Sequence, residues 1–99
     1  MTKYRAIKET VDGIKFDSRK EAEAYRKLKI LYQAGEVRCL KLQPEFKLTA
    51  GIKYRADFDV VWKDGRRECI DVKGFKTPVF KLKMKLMKHD FPDVKLVLW

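Results

Sequence analysis

The chain has little of what builds disulfides, metal–thiolate centres or membrane spans. It carries two cysteines, Cys39 and Cys69, and one histidine, His89. Two widely separated thiols form neither a disulfide framework nor a zinc-ligand spacing, so reduced thiols in a cytoplasmic protein are expected. No apolar run approaches the ~20 residues that cross a bilayer. The opening Met-Thr-Lys-Tyr-Arg also lacks the apolar segment of a secretory signal, so no membrane association is expected. Acid is scarce as well: 14 Asp+Glu stand against 24 Lys+Arg, a net charge of +10. That excess suits a polyanion, because Lys and Arg that neutralise phosphates release counterions; it equally describes a solvated basic face. Hydrophobic residues make up 45% and aromatics 12% of the chain, too apolar for disorder. Its 99 residues are enough for one domain, 1–99, with a single modest core.

Along the chain, Tyr4, Ala6 and Ile7 form one arm and Ile14 and Phe16 the other of an expected hairpin over 3–16, turned at Asp12-Gly13. Ser18-Arg19-Lys20-Glu21 matches a capping box, and Gly35 is a natural stop, so a helix is predicted over 18–34. At ~100° per residue, Tyr25, Leu28 and Tyr32 line up with Glu21, flanked by Ala24 and Leu31. Glu21 therefore points along the apolar face, unless it curls back to cap the backbone. An acid aimed at a core costs several kcal/mol unless it is paired, metal-bound or protonated. Residues 36–48 hold one or two strands, interrupted at Pro44.

The stretch Tyr54–Lys73 organises the rest. Two β-prone runs flank Asp64-Gly65, a hairpin signal. A two-residue loop would mix acids and hydrophobes on both faces. A three-residue loop, Lys63-Asp64-Gly65 with Gly65 left-handed in a bulge, sorts them. Phe58, Val60, Trp62, Ile70 and Val72 then share one face. Asp57, Asp59, Cys69, Asp71 and Lys73 share the other, with Asp57 opposite Asp71. Opposed carboxylates repel unless a positive group lies between them, whether a divalent cation, Lys73 or an arginine.

Thr77-Pro78 reads as N-cap and first helical position. Residues 80–86 alternate as a half-buried strand does, but Leu, Met and Lys favour a helix over 78–89. In that helix Lys81, Lys85 and Lys88 form a stripe, either solvated or tracking phosphates, and Lys83 falls within a wide apolar face that includes Val79 and Leu82. His89 is an ordinary polar residue near the helix end. Residues 94–99 close the chain as a largely buried strand.

Carboxylates from a helix and from two hairpin arms, with an Asp-x-Lys, suit phosphodiester hydrolysis. Such carboxylates hold a hard cation through oxygen, the cation lowers the pKa of a bound water, and a lysine stabilises the transition state. The chain resembles the PD-(D/E)XK nuclease superfamily, and within it a group of small phage-encoded nuclease-like proteins. The resemblance rests on Phe16-Asp17-Ser18-Arg19-Lys20-Glu21-Ala22, Leu42-Gln43-Pro44, Ala56-Asp57-Phe58, Asp71-Val72-Lys73-Gly74, and Thr77 with the lysines after it. Ala56 stands where the superfamily's name places proline.

The resemblance implies an α/β, restriction-endonuclease-like core: an α-β-β-β-α-β mixed sheet flanked by helices, here with an N-terminal β-hairpin. It implies Glu21, Asp57, Asp71 and the Val72 carbonyl as ligands of Mg²⁺ or Mn²⁺, with Lys73 as the catalytic lysine. Gln43 and Lys83 would stand near the site, and Lys76, Lys81, Lys85 and Lys88 would contact nucleic acid. The expected function is a metal-dependent DNA endonuclease directed by branched or flapped DNA structure, in the cytoplasm of a bacterial host of a phage. Junction resolution would require a homodimer, for which the outward Ile30 is a surplus apolar residue. The alternatives are a basic DNA-binding or adaptor module that keeps the fold without chemistry, and a phage protein that binds a host protein.

Overall fold

The computed structural model describes residues 7–72 and 77–99. Tyr4 and Ala6 of the expected first arm, and Lys73 and Lys76, lie outside the described residues. The elements are β1 (Glu9–Val11), β2 (Ile14–Phe16), α1 (Arg19–Gln33), β3 (Val37–Leu42), β4 (Glu45–Lys47), a short 3₁₀ turn (Thr49–Gly51), β5 (Lys53–Arg55), β6 (Phe58–Trp62), β7 (Arg67–Asp71), α2 (Pro78–Asp90) and β8 (Val94–Leu98). Strands β3-β6-β7-β8 form a four-stranded sheet in that order, while β1-β2 and β4-β5 are separate two-stranded ribbons. The β3-β6 and β6-β7 pairs are antiparallel and β7-β8 is parallel, so α2 is the crossover connection that parallel neighbours require. The result is an α/β domain with a mixed sheet and two helices.

Among the described residues the opening hairpin pairs Glu9–Val11 with Ile14–Phe16. Asp12 and Gly13 both have positive φ, 53° and 75°, the conformation that a two-residue loop needs to match strand twist. Ile7 precedes the pairing and is exposed.

Ser18 caps α1, its Oγ accepting the Glu21 N–H at 3.1 Å. The helix ends as a Schellman motif: Gly35 N–H donates to Tyr32 O and Glu36 N–H to Leu31 O, with Gly35 at φ 82°. Glu21, Ala22, Ala24, Tyr25 and Leu28 are its buried residues. Tyr32, expected on the same line, borders the open groove between α1 and β3 and is exposed. Ile30 faces outward, 64% exposed.

Pro44 divides β3 from β4, as expected. Strand β5 was not foreseen. Tyr54, assigned to the first arm of the central hairpin, instead pairs with Phe46 in the β4-β5 ribbon. The chain breaks at Ala56-Asp57, where Ala56 N–H donates to Pro44 O and Gln43 N–H to Asp57 O. Those bonds turn the chain from one ribbon into the main sheet.

Each face of the sheet has its own core. Phe58, Val60, Ile70 and Val72 pack with Phe16, Ala22, Tyr25, Leu28 and Val37 on the α1 side. The other face, expected to be polar, is covered: Cys69 packs with Phe46, Leu48, Tyr54, Ala56, Met87 and Val94 beneath α2 and the β4-β5 ribbon. Asp59 on this face is buried yet satisfied. Arg67 Nε and Nη2 donate to its Oδ1 and Oδ2 at 3.0 and 2.8 Å, and the guanidinium lies 5.8 Å from the Phe46 ring centroid. Bidentate pairing lets a carboxylate occupy a covered face.

Helix α2 forms as the cap signal predicts. Thr77 Oγ1 accepts the Phe80 N–H at 3.1 Å, and Pro78 takes the first position. Its apolar face is narrower than expected. Met87 is buried and Phe80, Met84 and Leu86 partly so, whereas Val79 and Leu82 are exposed. Strand β8, expected to be largely buried, has only Val94 buried and Leu98 exposed, because among the described residues it has a neighbour on one side only.

Candidate metal and nucleic-acid site

The turn between β6 and β7 sets the site. Gly65 lies at φ 92°, its N–H donates to Trp62 O at 2.9 Å, and Trp62 N–H donates to Arg66 O at 2.8 Å. This is the three-residue loop with a left-handed glycine. The ladder then pairs Val61 with Arg67, Val60 with Glu68, Asp59 with Cys69 and Phe58 with Ile70. The register that sorts the two faces is the one adopted.

At the open end of this ladder Asp57 and Asp71 come together. Asp57 N–H donates to Ile70 O at 3.0 Å, and its Oδ2 accepts the Val72 N–H at 2.7 Å. Asp57 thus brackets Asp71 from the neighbouring strand. Asp71 Oδ2 accepts the Tyr54 hydroxyl at 2.8 Å, while its carbonyl accepts the Trp99 N–H at 3.0 Å. Both acids are half-buried and Val72 between these bonds is buried. Backbone on both sides and a side-chain donor from β5 therefore hold the pair.

The local field is acidic. Burial pushes the Tyr54 hydroxyl well above its ordinary range, reinforced by its bond to Asp71 and by the charge of Asp57. Burial first, then Asp59 and Asp71, pushes the Cys69 thiol up to about 12. Tyr54 is thus a permanent donor near neutral pH and Cys69 a permanent thiol. Asp57, Asp59 and Asp71 all act on Cys69, as expected of residues sharing one face of the hairpin.

The other anticipated residues differ in burial. Glu21 is buried, 7% exposed, on the helix that covers the Phe58–Val72 face. Gln43 is exposed, at φ 49°, and touches Asp57 through its backbone N–H. Lys81, Lys85 and Lys88 are exposed along α2 and Lys83 is half-buried. Lys73 and Lys76 lie outside the described residues. Tyr54 was missed, since nothing in an alternating strand pattern marks one tyrosine as the partner of an acid across another ribbon.

Among the described residues no group of three or more His, Cys, Asp or Glu side chains is gathered to hold a metal ion. The Asp57–Asp71 pair still fits a hard cation. Mg²⁺ is commonly bound through one or two carboxylates, the remaining positions being filled by water and phosphate. Ligating carboxylates are themselves hydrogen-bonded, as Val72 N–H and Tyr54 O–H do for these two.

Fold and site thus define a mixed-sheet α/β domain with a carboxylate pair at one strand end and a lysine-bearing helix. A family model described as "Protein of unknown function (DUF1064)" matches residues 1–99, and the chain belongs to that family. No curated protein and no solved structure matches it.

Proposed function

We propose that this chain is a metal-dependent DNA endonuclease with a restriction-endonuclease-like core. The observation that carries this is the juxtaposition of Asp57 and Asp71, each oriented by a hydrogen bond to one carboxylate oxygen. The order α1-β3-β6-β7-α2-β8, once the β4-β5 ribbon is set aside, supports the core assignment. A bound Mg²⁺ or Mn²⁺ would supply an acidified water and charge compensation at the phosphate.

The chain's own residues do the rest. Asp57 and Asp71 would hold the cation, and the Val72 carbonyl would add a ligand. Lys73, two residues beyond Asp71 in sequence, orients the attacking water or steadies the transition-state charge. Glu21 would supply a third acid from α1. The stripe of Lys81, Lys85 and Lys88, with Lys76 before it, contacts the phosphate backbone. That contact fixes register without reading sequence, which suits branched or flapped DNA better than a long motif. Purified protein should nick or cut such DNA with Mg²⁺ or Mn²⁺, and Asp71→Asn and Lys73→Ala should each abolish cleavage. Full activity in either variant, or in excess chelator, rules the mechanism out.

A non-catalytic DNA-binding module is the second reading, and the net charge of +10 suits it equally. It requires salt-sensitive DNA binding without cleavage in any divalent metal. A junction-resolving role needs two sites, and the exposed Ile30 on α1 is where a second copy would be sought by cross-linking.

A further inference from the structure

The β4-β5 ribbon does more than cover one face of the sheet. Its Tyr54 is 4% exposed and its ring is stacked on Phe46, with centroids 6.5 Å apart and planes at 20°. It also meets Phe80 of α2 edge-on at 6.4 Å. A phenol wedged between a strand ribbon and a helix has little rotational freedom, so its oxygen is a fixed point. That oxygen donates to Asp71 Oδ2 at 2.8 Å. Asp71 is the last residue of β7, where the ladder to β6 has ended and only β8 still pairs with it. The bond holds that carboxylate oxygen against rotation about the two side-chain torsions at a strand end.

We propose that Tyr54 is the positioning residue of the site: its hydroxyl fixes the plane of the Asp71 carboxylate and so presets one ligand for a divalent cation. This rests on the metal-dependent function proposed above. Ligating carboxylates work best when an outer hydrogen bond orients them, and losing such a partner typically weakens metal binding about 10- to 100-fold. The role falls to an inserted ribbon rather than to the sheet or helices of the α-β-β-β-α-β core, so the ribbon and the site are one mechanical unit. The hydroxyl, and no single ring contact, carries the ordering to Asp71: Phe80 still meets the ring edge-on when Phe46 is shortened.

Removing only the hydroxyl tests this. Tyr54→Phe keeps the ring and its packing; Phe46→Leu loosens the same packing and keeps the hydroxyl. Mn²⁺ affinity is measured by titration calorimetry on both variants, on the wild type and on Asp71→Asn, each first shown to be folded by its melting transition. Tyr54→Phe is expected to bind Mn²⁺ about 10- to 100-fold more weakly, with Phe46→Leu close to the wild type. In cleavage assays Tyr54→Phe should lower kcat while leaving the KM for DNA unchanged. If the wild type binds Mn²⁺ and Tyr54→Phe binds it within twofold, the positioning role is overturned and the function stands. If Phe46→Leu loses as much affinity as Tyr54→Phe, the effect is one of packing and the positioning role is likewise overturned. If the wild type binds no Mn²⁺ and cleaves no DNA, both the function and the positioning role fall.

Discussion

Single side chains here differ sharply in what their surroundings let them do, and the two cysteines show it. Cys69 is buried, and three carboxylates act on it. Since only a thiolate reacts readily with disulfides, Cys69 should resist Ellman's reagent in the native protein while the partly accessible Cys39 reacts. Two thiols should react in denaturant; two fast-reacting thiols without denaturant would contradict this burial. Asp12 makes the complementary case at the surface. The Lys29 ammonium, then the Tyr25 hydroxyl, bond to its Oδ2 and hold its carboxyl below the ordinary 3.8. An acid with a lowered folded-state value stabilises above its unfolded value, and that contribution disappears as pH falls through the folded one. Lys29 runs the other way: raised above 10.5, its contribution is complete below that value and lost on further alkalinisation. Urea midpoints of the wild type and Asp12→Asn should differ at about pH 7 and converge as pH falls below about 4; a difference that persists in acid would show that the pair is not the cause.

Elements carry their own start and stop chemistry, and this is where the sequence was most legible. Ser18, Gly35, Thr77 and Pro78 mark helix ends within one residue of where they occur, because caps act locally and need no tertiary partner. Ser18→Ala removes the acceptor for the Glu21 N–H at a buried helix start and should cost about 1 kcal/mol in denaturant unfolding; a change under a few tenths would mean that Glu21 or water substitutes. The register of β6 and β7 was legible too, since only one loop length separated acids from hydrophobes. The fate of the acidic face was not. Alternation tells which residues share a face, whereas whether water or another element covers it depends on long-range packing. Hence alternation puts Cys69 and Asp59 on a polar side, whereas both are buried on the face that α2 and the β4-β5 ribbon cover. Tyr54 meets the same limit: its pairing with Phe46 joins the two strands of one ribbon, and no local pattern in either segment announces it. Strand β8 was misjudged because a run of apolar residues does not say how many neighbours a strand has.

At the scale of the molecule, charge and shape work together. The protein measures 42 × 36 × 18 Å and carries +10 net charge, with exposed lysines along α2 on the same side as the ribbon that covers Asp59 and Cys69. If α2 contacts the nucleic-acid backbone, DNA affinity should fall linearly in log–log against salt. Lys81→Ala and Lys85→Ala should each reduce the magnitude of that slope by about 1. Equal slopes in wild type and variants would move the contact elsewhere. The thin sheet also has a consequence that starts at its far end. Side chains on a strand alternate with a period of two residues, so a turn counts like a gear with two teeth. Gly65 and its two companions at the tip decide, from several residues away, which core each residue of β7 feeds. One extra residue in Lys63-Asp64-Gly65 would swap Cys69 with Ile70 and swing Asp71 from Tyr54 towards α1. Such an insertion should unfold the domain or silence the site, whereas a two-residue insertion should be far milder. The exposed turn of this hairpin is therefore expected to tolerate poorly a change in length by an odd number.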